Sequence, residues 1–139
     1  MKNLEFLDQP DLGKLLLRLG VGIVLGLHGL GKIESGIGGT VEMVENGGLP
    51  GWLAYGTYLG EFVAPLLLIF GKFTRPAGLV VALNMLMTIL VAHRDIAFQR
   101  NDFGGWLIEL NVLLMIGGLA VALLGAGRWS LSGGAGRWD

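Results

Sequence analysis

The sequence contains no cysteine, and its 139 residues include only two histidines. A chain without cysteine forms no disulfide, no thiolate metal site and no cysteine-ligated iron–sulfur cluster, so thiol relays are excluded as a mechanism. Charge is scarce as well, since Asp, Glu, Lys and Arg make up 15% of the residues and the formal net charge is −1. Because positive and negative charges are nearly balanced, the chain has no basic stripe, and we expect no nucleic-acid partner.

Apolar residues dominate what is present. Hydrophobic residues make up 53% of the chain, glycine occurs 25 times, and the mean hydropathy is +0.64. Four apolar runs approach the roughly 20 residues that a helix needs to cross a bilayer, and the glycines suit close packing between such helices. Between the first two runs, the segment TVEMVEN is expected to form one or two amphipathic turns at the membrane surface. We therefore predict an all-α fold, an integral membrane four-helix bundle that forms one domain over residues 1–139, with helices at about 12–31, 52–70, 76–93 and 104–124.

The distribution of Lys and Arg predicts the orientation of this bundle, because cytoplasmic loops of membrane proteins carry an excess of these residues. If both chain ends and the 71–76 turn lie on one side of the membrane, that side has six Lys and Arg residues against three on the other. The six are Lys2, Lys14, Lys72, Arg75, Arg128 and Arg137, and the three are Lys32, Arg94 and Arg100. We therefore expect both termini to be cytoplasmic, with membrane lipid around the helices.

Glu61 lies in the middle of the second apolar run. A charged side chain at the centre of a bilayer costs about 2.5–3.5 kcal/mol on insertion scales, so it usually faces the interior of a bundle and has a partner. Two interpretations follow. Glu61 either forms a structural ion pair with Arg18 and stays ionised, or it is a neutral acid that donates protons. Pro65, one turn later, predicts a kink and a carbonyl group without its helical partner.

The rise of the helices places the other polar residues at defined depths. Glu61 and Asn84 are each nine residues from the outer end of their run, so both are expected about 13–14 Å below that end. Together with shallower side chains they predict a polar pocket that opens towards the outer face and narrows to Glu61. From the mouth inward, the residues of this pocket are Lys32, His28, His93, Glu109, Asn84 and Glu61, with Arg18 below them.

His28 and His93 are open to several interpretations, because both lie near the outer end of a predicted helix. They could ligate a haem between facing helices, bind a metal ion together with Glu109, hydrogen-bond the loop backbone, or hydrogen-bond the carbonyl oxygens of a quinone. No Glu-x-x-His spacing supports a metal site, and we expect none.

Five segments of the sequence resemble one family of small bacterial membrane proteins, the DoxX family, and the likeness extends over nearly the whole chain. The segments are LLLRLGVGIVLGLHGLGK, LGEFVAPLLLIFGKFTRPAGL, VAH, IELNVLLM and GAGRWSL. The positions that match the recurring ones of that family are Arg18, His28, Gly29, Lys32, Gly60, Glu61, Gly71, Arg75, His93, Glu109, Gly125 and Gly127. One position departs from the family pattern, because Ser132 stands where an acidic residue commonly follows the Ser-Leu pair.

The resemblance implies a four-helix protein of the bacterial cytoplasmic membrane that is a component of a membrane oxidoreductase. Members of the family have been linked to a thiosulfate:quinone oxidoreductase and to quinone or oxidative-stress responses. The resemblance fixes no substrate, because a fold hosts many functions.

Residues and resemblance together predict a quinone-handling membrane protein, with the quinone as substrate or bound ligand. Its expected catalytic residues are Glu61 and Glu109, which transfer protons, and its expected substrate-binding residues are Arg18, His28, Lys32, Asn84 and His93. The sequence has no recognisable redox centre, so electrons would come from a partner oxidoreductase subunit; a homo-oligomer is the other expected assembly. Two alternatives stay open: a small-molecule or ion permease, and a structural partner that stabilises a membrane complex.

Overall fold

The computed structural model describes residues 8–139, and Lys2, which the charge count above includes, lies outside them. This part of the chain is helical and contains no β-strand. It has five helices: α1 (Pro10–Ser35), α2 (Gly38–Asn46), α3 (Gly51–Phe70), α4 (Thr74–Ala92) and α5 (Glu109–Leu124). The all-α prediction is therefore confirmed.

Three of the helices, α1, α3 and α4, are long and apolar enough to cross a membrane, with 26, 20 and 19 residues. The fourth apolar helix, α5, has 16 residues. At about 1.5 Å per residue it spans roughly 24 Å, less than the ~30 Å of a hydrocarbon core. It begins at Glu109 and not at about residue 104, because the main chain of residues 99–107 pairs with itself in a tight loop.

The core lies between four of the helices. α1 packs against α3 and α5, and α4 also packs against α3 and α5. The outer faces of these helices are apolar as well, with leucines that are 60% exposed or more, an arrangement that suits lipid and not water. The buried core includes Leu25, Leu68, Val81 and Val121, and the exposed leucines include Leu27, Leu83, Leu113 and Leu123.

Glycine lets the helices touch backbone to backbone at two crossings. Gly29 of α1 lies against the carbonyl group of Glu61 in α3, and Gly78 of α4 lies against the main chain of α5 at Gly118. A Cβ atom at any of these glycines would overlap main-chain atoms of the facing helix. Small residues at such crossings are typical of membrane helices, where packing and not the hydrophobic effect drives association.

Arg18 fixes the end of the structure where α3 finishes. Its side chain is 1% exposed, and its guanidinium donates to the carbonyl oxygens of Leu68 at 2.6 Å and Ile69 at 2.9 Å. The last carbonyl groups of a helix have no partner within the helix and carry partial negative charge, so a cation there is stabilising. A third hydrogen bond, to Trp129 O at 2.6 Å, ties the C-terminal segment 125–139 to the same point.

Arg75 caps the C-terminal end of α5 in the way that Arg18 caps α3. Its guanidinium donates to the carbonyl oxygens of Ala122 at 2.9 Å and Leu123 at 2.8 Å. Its main-chain N–H donates to Trp138 O at 3.0 Å, again in the C-terminal segment. The start of α1, the turn between α3 and α4, and residues 125–139 therefore meet at one end of the structure.

The Gly29 crossing generates a test of the packing. We expect Gly29→Ala to lower the free energy of unfolding by about 1–3 kcal/mol, the usual cost of overpacking, because its Cβ meets the rigid main chain of Glu61. Gly31→Ala is the matched control, since nothing lies within 4 Å of a Cβ at Gly31 on the same helix. Loss of helical circular dichroism during titration with SDS measures both variants. Equal midpoints would contradict the proposed packing constraint.

A second prediction concerns the cap on α3. Hydrogen bonds to charged groups are each worth about 1.5–3 kcal/mol, so we expect Arg18→Gln to destabilise the fold by at least ~2 kcal/mol in the same titration. Arg128→Gln is the control, because Arg128 forms an ion pair with Asp11 at 2.6 Å but its side chain is 77% exposed, and such surface pairs contribute about 0–1 kcal/mol. If both variants unfold at the same SDS fraction, the capping role of Arg18 is wrong.

Candidate functional site

A cavity of about 580 Å³ lies between the helices at the end opposite Arg18 and Arg75. Its walls are the last turns of α1 and α4 and the first turns of α3 and α5, and α2 covers it. The volume falls within the range of about 300–1,000 Å³ that is typical of small-molecule sites, which are mostly apolar with a few placed polar groups. The polar residues of this cavity are His28, Lys32, Thr40, Thr57, Glu61, Asn84, Thr88, His93 and Asn111.

Glu61 is the buried acid of the cavity, at 4% exposure. Its Oε2 lies 2.6 Å from the Lys32 ammonium nitrogen and forms an ion pair with it. Its Oε1 accepts a hydrogen bond of 3.3 Å from the Asn84 side-chain amide. Three helices thus meet at one carboxylate, because Lys32 belongs to α1 and Asn84 to α4.

The backbone around Glu61 is irregular for a reason that lies in the sequence. Residues Leu59–Val63 form a π-helical turn inside α3. Pro65 has no N–H to donate to the carbonyl oxygen four residues earlier, which is that of Glu61. This carbonyl is the group that lies against Gly29. Single π turns often mark functional positions in helices, and this one carries Glu61, the only acid among the described residues that line the cavity.

The hydrogen bond between Asn84 and Glu61 brings together two side chains that were expected at the same depth. The residue before Glu61 is glycine, and this allows Asn84 to approach, because a Cβ atom at Gly60 would overlap the Asn84 side chain. The expected alternative of an ion pair between Glu61 and Arg18 is not formed. Lys32 is the partner of the acid, while the Arg18 guanidinium is held by carbonyl groups at the other end of α3.

Both histidines line the cavity. His28 Nδ1 lies 2.9 Å from Val24 O in its own helix. A carbonyl oxygen only accepts, so Nδ1 carries the proton and the Nε2 of a neutral ring is left as an acceptor. In the described part of the chain, no group of three His, Asp or Glu side chains is arranged to hold a metal ion.

Arg18 and Glu109, two of the predicted site residues, are not among the described residues that line the cavity. Glu109 is exposed at the first residue of α5, where its Oε2 accepts a hydrogen bond of 3.1 Å from Trp106 N. The hydrogen bond ties the side chain to the preceding loop, and an acidic residue in the first turn of a helix is stabilised by the helix dipole.

The contribution of α2 to the cavity is not evident from the sequence. Thr40, Met43 and Val44 of this helix line the cavity, and the structure confirms that the segment 40–46 is helical. The signal was present in the apolar side chains that follow one another at helical spacing between two pairs of glycines. It showed an amphipathic helix but not which surface the apolar side would cover.

The described chain is that of a helical membrane protein whose helices enclose a cavity with a buried carboxylate. The family model described as DoxX matches residues 13–94. The chain is 32% identical over 116 residues to "Putative oxidoreductase CatD" of Bacillus subtilis (strain 168), covering 84% of this chain and 81% of the relative. It is also 32% identical over 131 residues to "Inner membrane protein YqjF" of Escherichia coli (strain K12), covering 94% of each chain. No solved structure matches it.

The chain belongs to the DoxX family. It is a multi-pass protein of the bacterial cytoplasmic membrane, with helices in contact with lipid.

The ion pair at the site is open to a double-mutant test. Lys32→Met leaves the Glu61 carboxylate buried without its cation. We expect this variant to lower the free energy of unfolding in the SDS titration by about 1–3 kcal/mol. The cost is below that for a fully buried pair, because the Lys32 side chain is 28% exposed. Lys32→Met combined with Glu61→Gln removes both charges and should recover at least half of that loss. Additive costs of the two single substitutions would show that the pair is not coupled.

Proposed function

We propose that this protein handles quinones in the membrane, as a quinone-binding component of an oxidoreductase. The observation that carries the proposal is the Glu61 carboxylate, held by Lys32 and Asn84 inside a largely apolar cavity. An acid of this kind in a membrane protein is a functional site by default. The name of the Bacillus relative, an oxidoreductase, agrees with redox chemistry.

The lining of the cavity suits a ligand that comes from the bilayer. Three apolar residues both line the cavity and are exposed on the surface of the protein: Leu59 of α3 (53% exposed) and Leu83 and Met87 of α4 (60% and 47% exposed). Since Gly60 touches Asn84, their neighbours Leu59 and Leu83 lie at the same level on adjacent helices. A lipophilic molecule would enter here, between α3 and α4, and meet Asn84 and Glu61 first.

The polar groups divide the chemistry between them in this proposal. Reduction of a quinone to a quinol takes up two electrons and two protons. The electrons come from a partner subunit or its substrate. Asn84 and Lys32 donate hydrogen bonds to the quinone oxygens, and Glu61 passes protons that it exchanges with water through the partly exposed Lys32 side. His28 Nε2, an acceptor when the ring is neutral, fits the hydroxyl group of the quinol better than the carbonyl group of the quinone.

The proposal keeps His93 as a binding residue, because it lines the cavity. It leaves out Arg18 and Glu109, because neither residue lines the cavity.

We also propose that α1, α3, α4 and α5 form a transmembrane four-helix bundle with both chain ends in the cytoplasm. The end where residues 125–139 fold back carries Lys14, Lys72, Arg75, Arg128 and Arg137 of the described chain, against Lys32, Arg94 and Arg100 at the cavity end. The excess of Lys and Arg belongs on the cytoplasmic side. The cavity would then face the outer half of the membrane.

The test is quinone binding by the purified protein in detergent or nanodiscs, with menaquinone and ubiquinone analogues as probes and mass spectrometry of co-purifying lipids. We expect Glu61→Gln to weaken binding of the reduced, quinol form by about 10–100-fold, because the carboxylate accepts a hydrogen bond from a quinol hydroxyl group and a hydrogen bond to a charged group is worth about 1.5–3 kcal/mol. Glu42→Gln is the matched control, since Glu42 is an exposed acid on α2 that does not line the cavity.

Two results would contradict the proposal. Equal affinities of the wild type and Glu61→Gln would remove the acid from the site. Absence of quinone binding in the wild type, together with solute uptake into proteoliposomes that follows a proton gradient, would favour a permease.

A further inference from the structure

The loop between α4 and α5, residues 94–108, carries the two most exposed large apolar side chains of the described chain. Phe98 is 95% exposed and Phe103 is 98% exposed. Neither has a role in the cavity, which they do not line. Fully exposed phenylalanines of this kind are unfavourable in water and point to a surface that something else covers.

This loop is ordered by its own hydrogen bonds, so the exposure of the phenylalanines is not the result of a loose segment. Asn101 Oδ1 accepts from the N–H groups of Phe103 at 3.1 Å and Gly105 at 2.8 Å. Asn101 N donates to Gly105 O at 2.8 Å, and Leu107 N donates to Gln99 O at 3.1 Å. The resulting hairpin-like turn holds Phe103 at its tip.

An arginine lies beside the same aromatic residues. Phe98, Arg100, Gly104 and Trp106 surround a surface hollow of about 440 Å³. The main chain of Arg100 pairs with that of Trp106, and its exposed guanidinium has no ion-pair partner among the described residues. Trp106 is held in place by the hydrogen bond from its Nε1 to Ala97 O at 2.5 Å.

We propose that residues 94–108 are an interfacial anchor that binds phospholipid, with Phe98 and Phe103 among the acyl chains and Arg100 on a phosphate group. A phospholipid satisfies both requirements with one molecule, an apolar chain for the phenylalanines and an anionic oxygen for the guanidinium. The place of the loop favours lipid over a protein partner, since it joins the ends of two apolar helices and therefore lies at the level of the headgroups. The anchor is independent of quinone binding.

The net charge of the loop defines which lipids it should accept. Arg94 and Arg100 are balanced by Asp95 and Asp102, so two positive and two negative charges cancel. General attraction to an anionic surface is therefore absent, and the contact is local, between one guanidinium and one phosphate. The anchor should bind equally in membranes of phosphatidylethanolamine and of phosphatidylglycerol.

Because the chain has no cysteine, single-cysteine variants can be spin-labelled without background. The labels are placed at Phe98→Cys, Phe103→Cys and, as the control on the same loop, Asp95→Cys, in nanodiscs of either lipid. Electron paramagnetic resonance measures collisions with oxygen, which concentrates in the acyl region, and with a water-soluble nickel chelate. We expect the oxygen-to-nickel ratio at positions 98 and 103 to exceed that at position 95 several-fold in both lipids.

Two outcomes would overturn the anchor. High nickel accessibility at positions 98 and 103, equal to that at 95, would place the loop in water. Protection from both colliders would show that a protein surface, such as a second copy of the chain, covers it. Arg100→Gln in the Phe98→Cys background tests the phosphate contact, because the main-chain pairing with Trp106 survives that substitution. The nickel accessibility at position 98 should rise, and an unchanged value would remove Arg100 from the proposal.

Discussion

Inside a bilayer no water is present to pair with the backbone, so every N–H and C=O group has to find its partner within the protein. Helices satisfy this constraint everywhere except at their ends and at proline. The present structure shows one solution for each exception. Arg18 and Arg75 donate to the last carbonyl groups of α3 and α5. A π turn, with Gly29 facing it, accommodates the Glu61 carbonyl group, whose α-helical donor is missing because of Pro65.

The two arginine caps repeat one arrangement. In each case an arginine near the start of one helix, α1 or α4, donates to the end of the helix packed beside it, α3 or α5. The C-terminal segment contains the pentapeptide GAGRW twice, at 125–129 and 134–138. Trp129 O of the first copy meets Arg18, and Trp138 O of the second copy meets the main chain of Arg75. A cation at each helix end removes the need for water there, and the repeated segment closes both ends at once.

The rise per residue predicted which side chains share a level along neighbouring helices, but not which way those side chains face around the helix axis. It placed Asn84 level with Glu61, and the two side chains are hydrogen-bonded. It could not tell which partner Glu61 would have, because nearly every position of these helices is apolar and a hydrophobic face gives no indication of rotation. Arg18 and Lys32 both lie on α1, but the expected partner was Arg18, and Lys32 was expected only at the mouth of the pocket. The decisive feature is the Gly29 crossing, which brings α3 so close that Lys32, one turn further along α1, reaches the acid.

The choice of Lys32 over Arg18 bears on how Glu61 works. A pair with Arg18 would have enclosed both charges deep in the bundle, where a guanidinium does not lose its proton and water does not reach. Lys32 lies instead at the edge of the cavity with 28% of its side chain exposed, whereas the Glu61 side chain is 5% exposed. The carboxylate therefore has a partly exposed cation on one side and, on the other, the exposed apolar side chains of Leu59 and Leu83 in the cavity wall. The proposed proton exchange between water and a quinone in the membrane would require a group in this position, and a fully enclosed ion pair would not provide one.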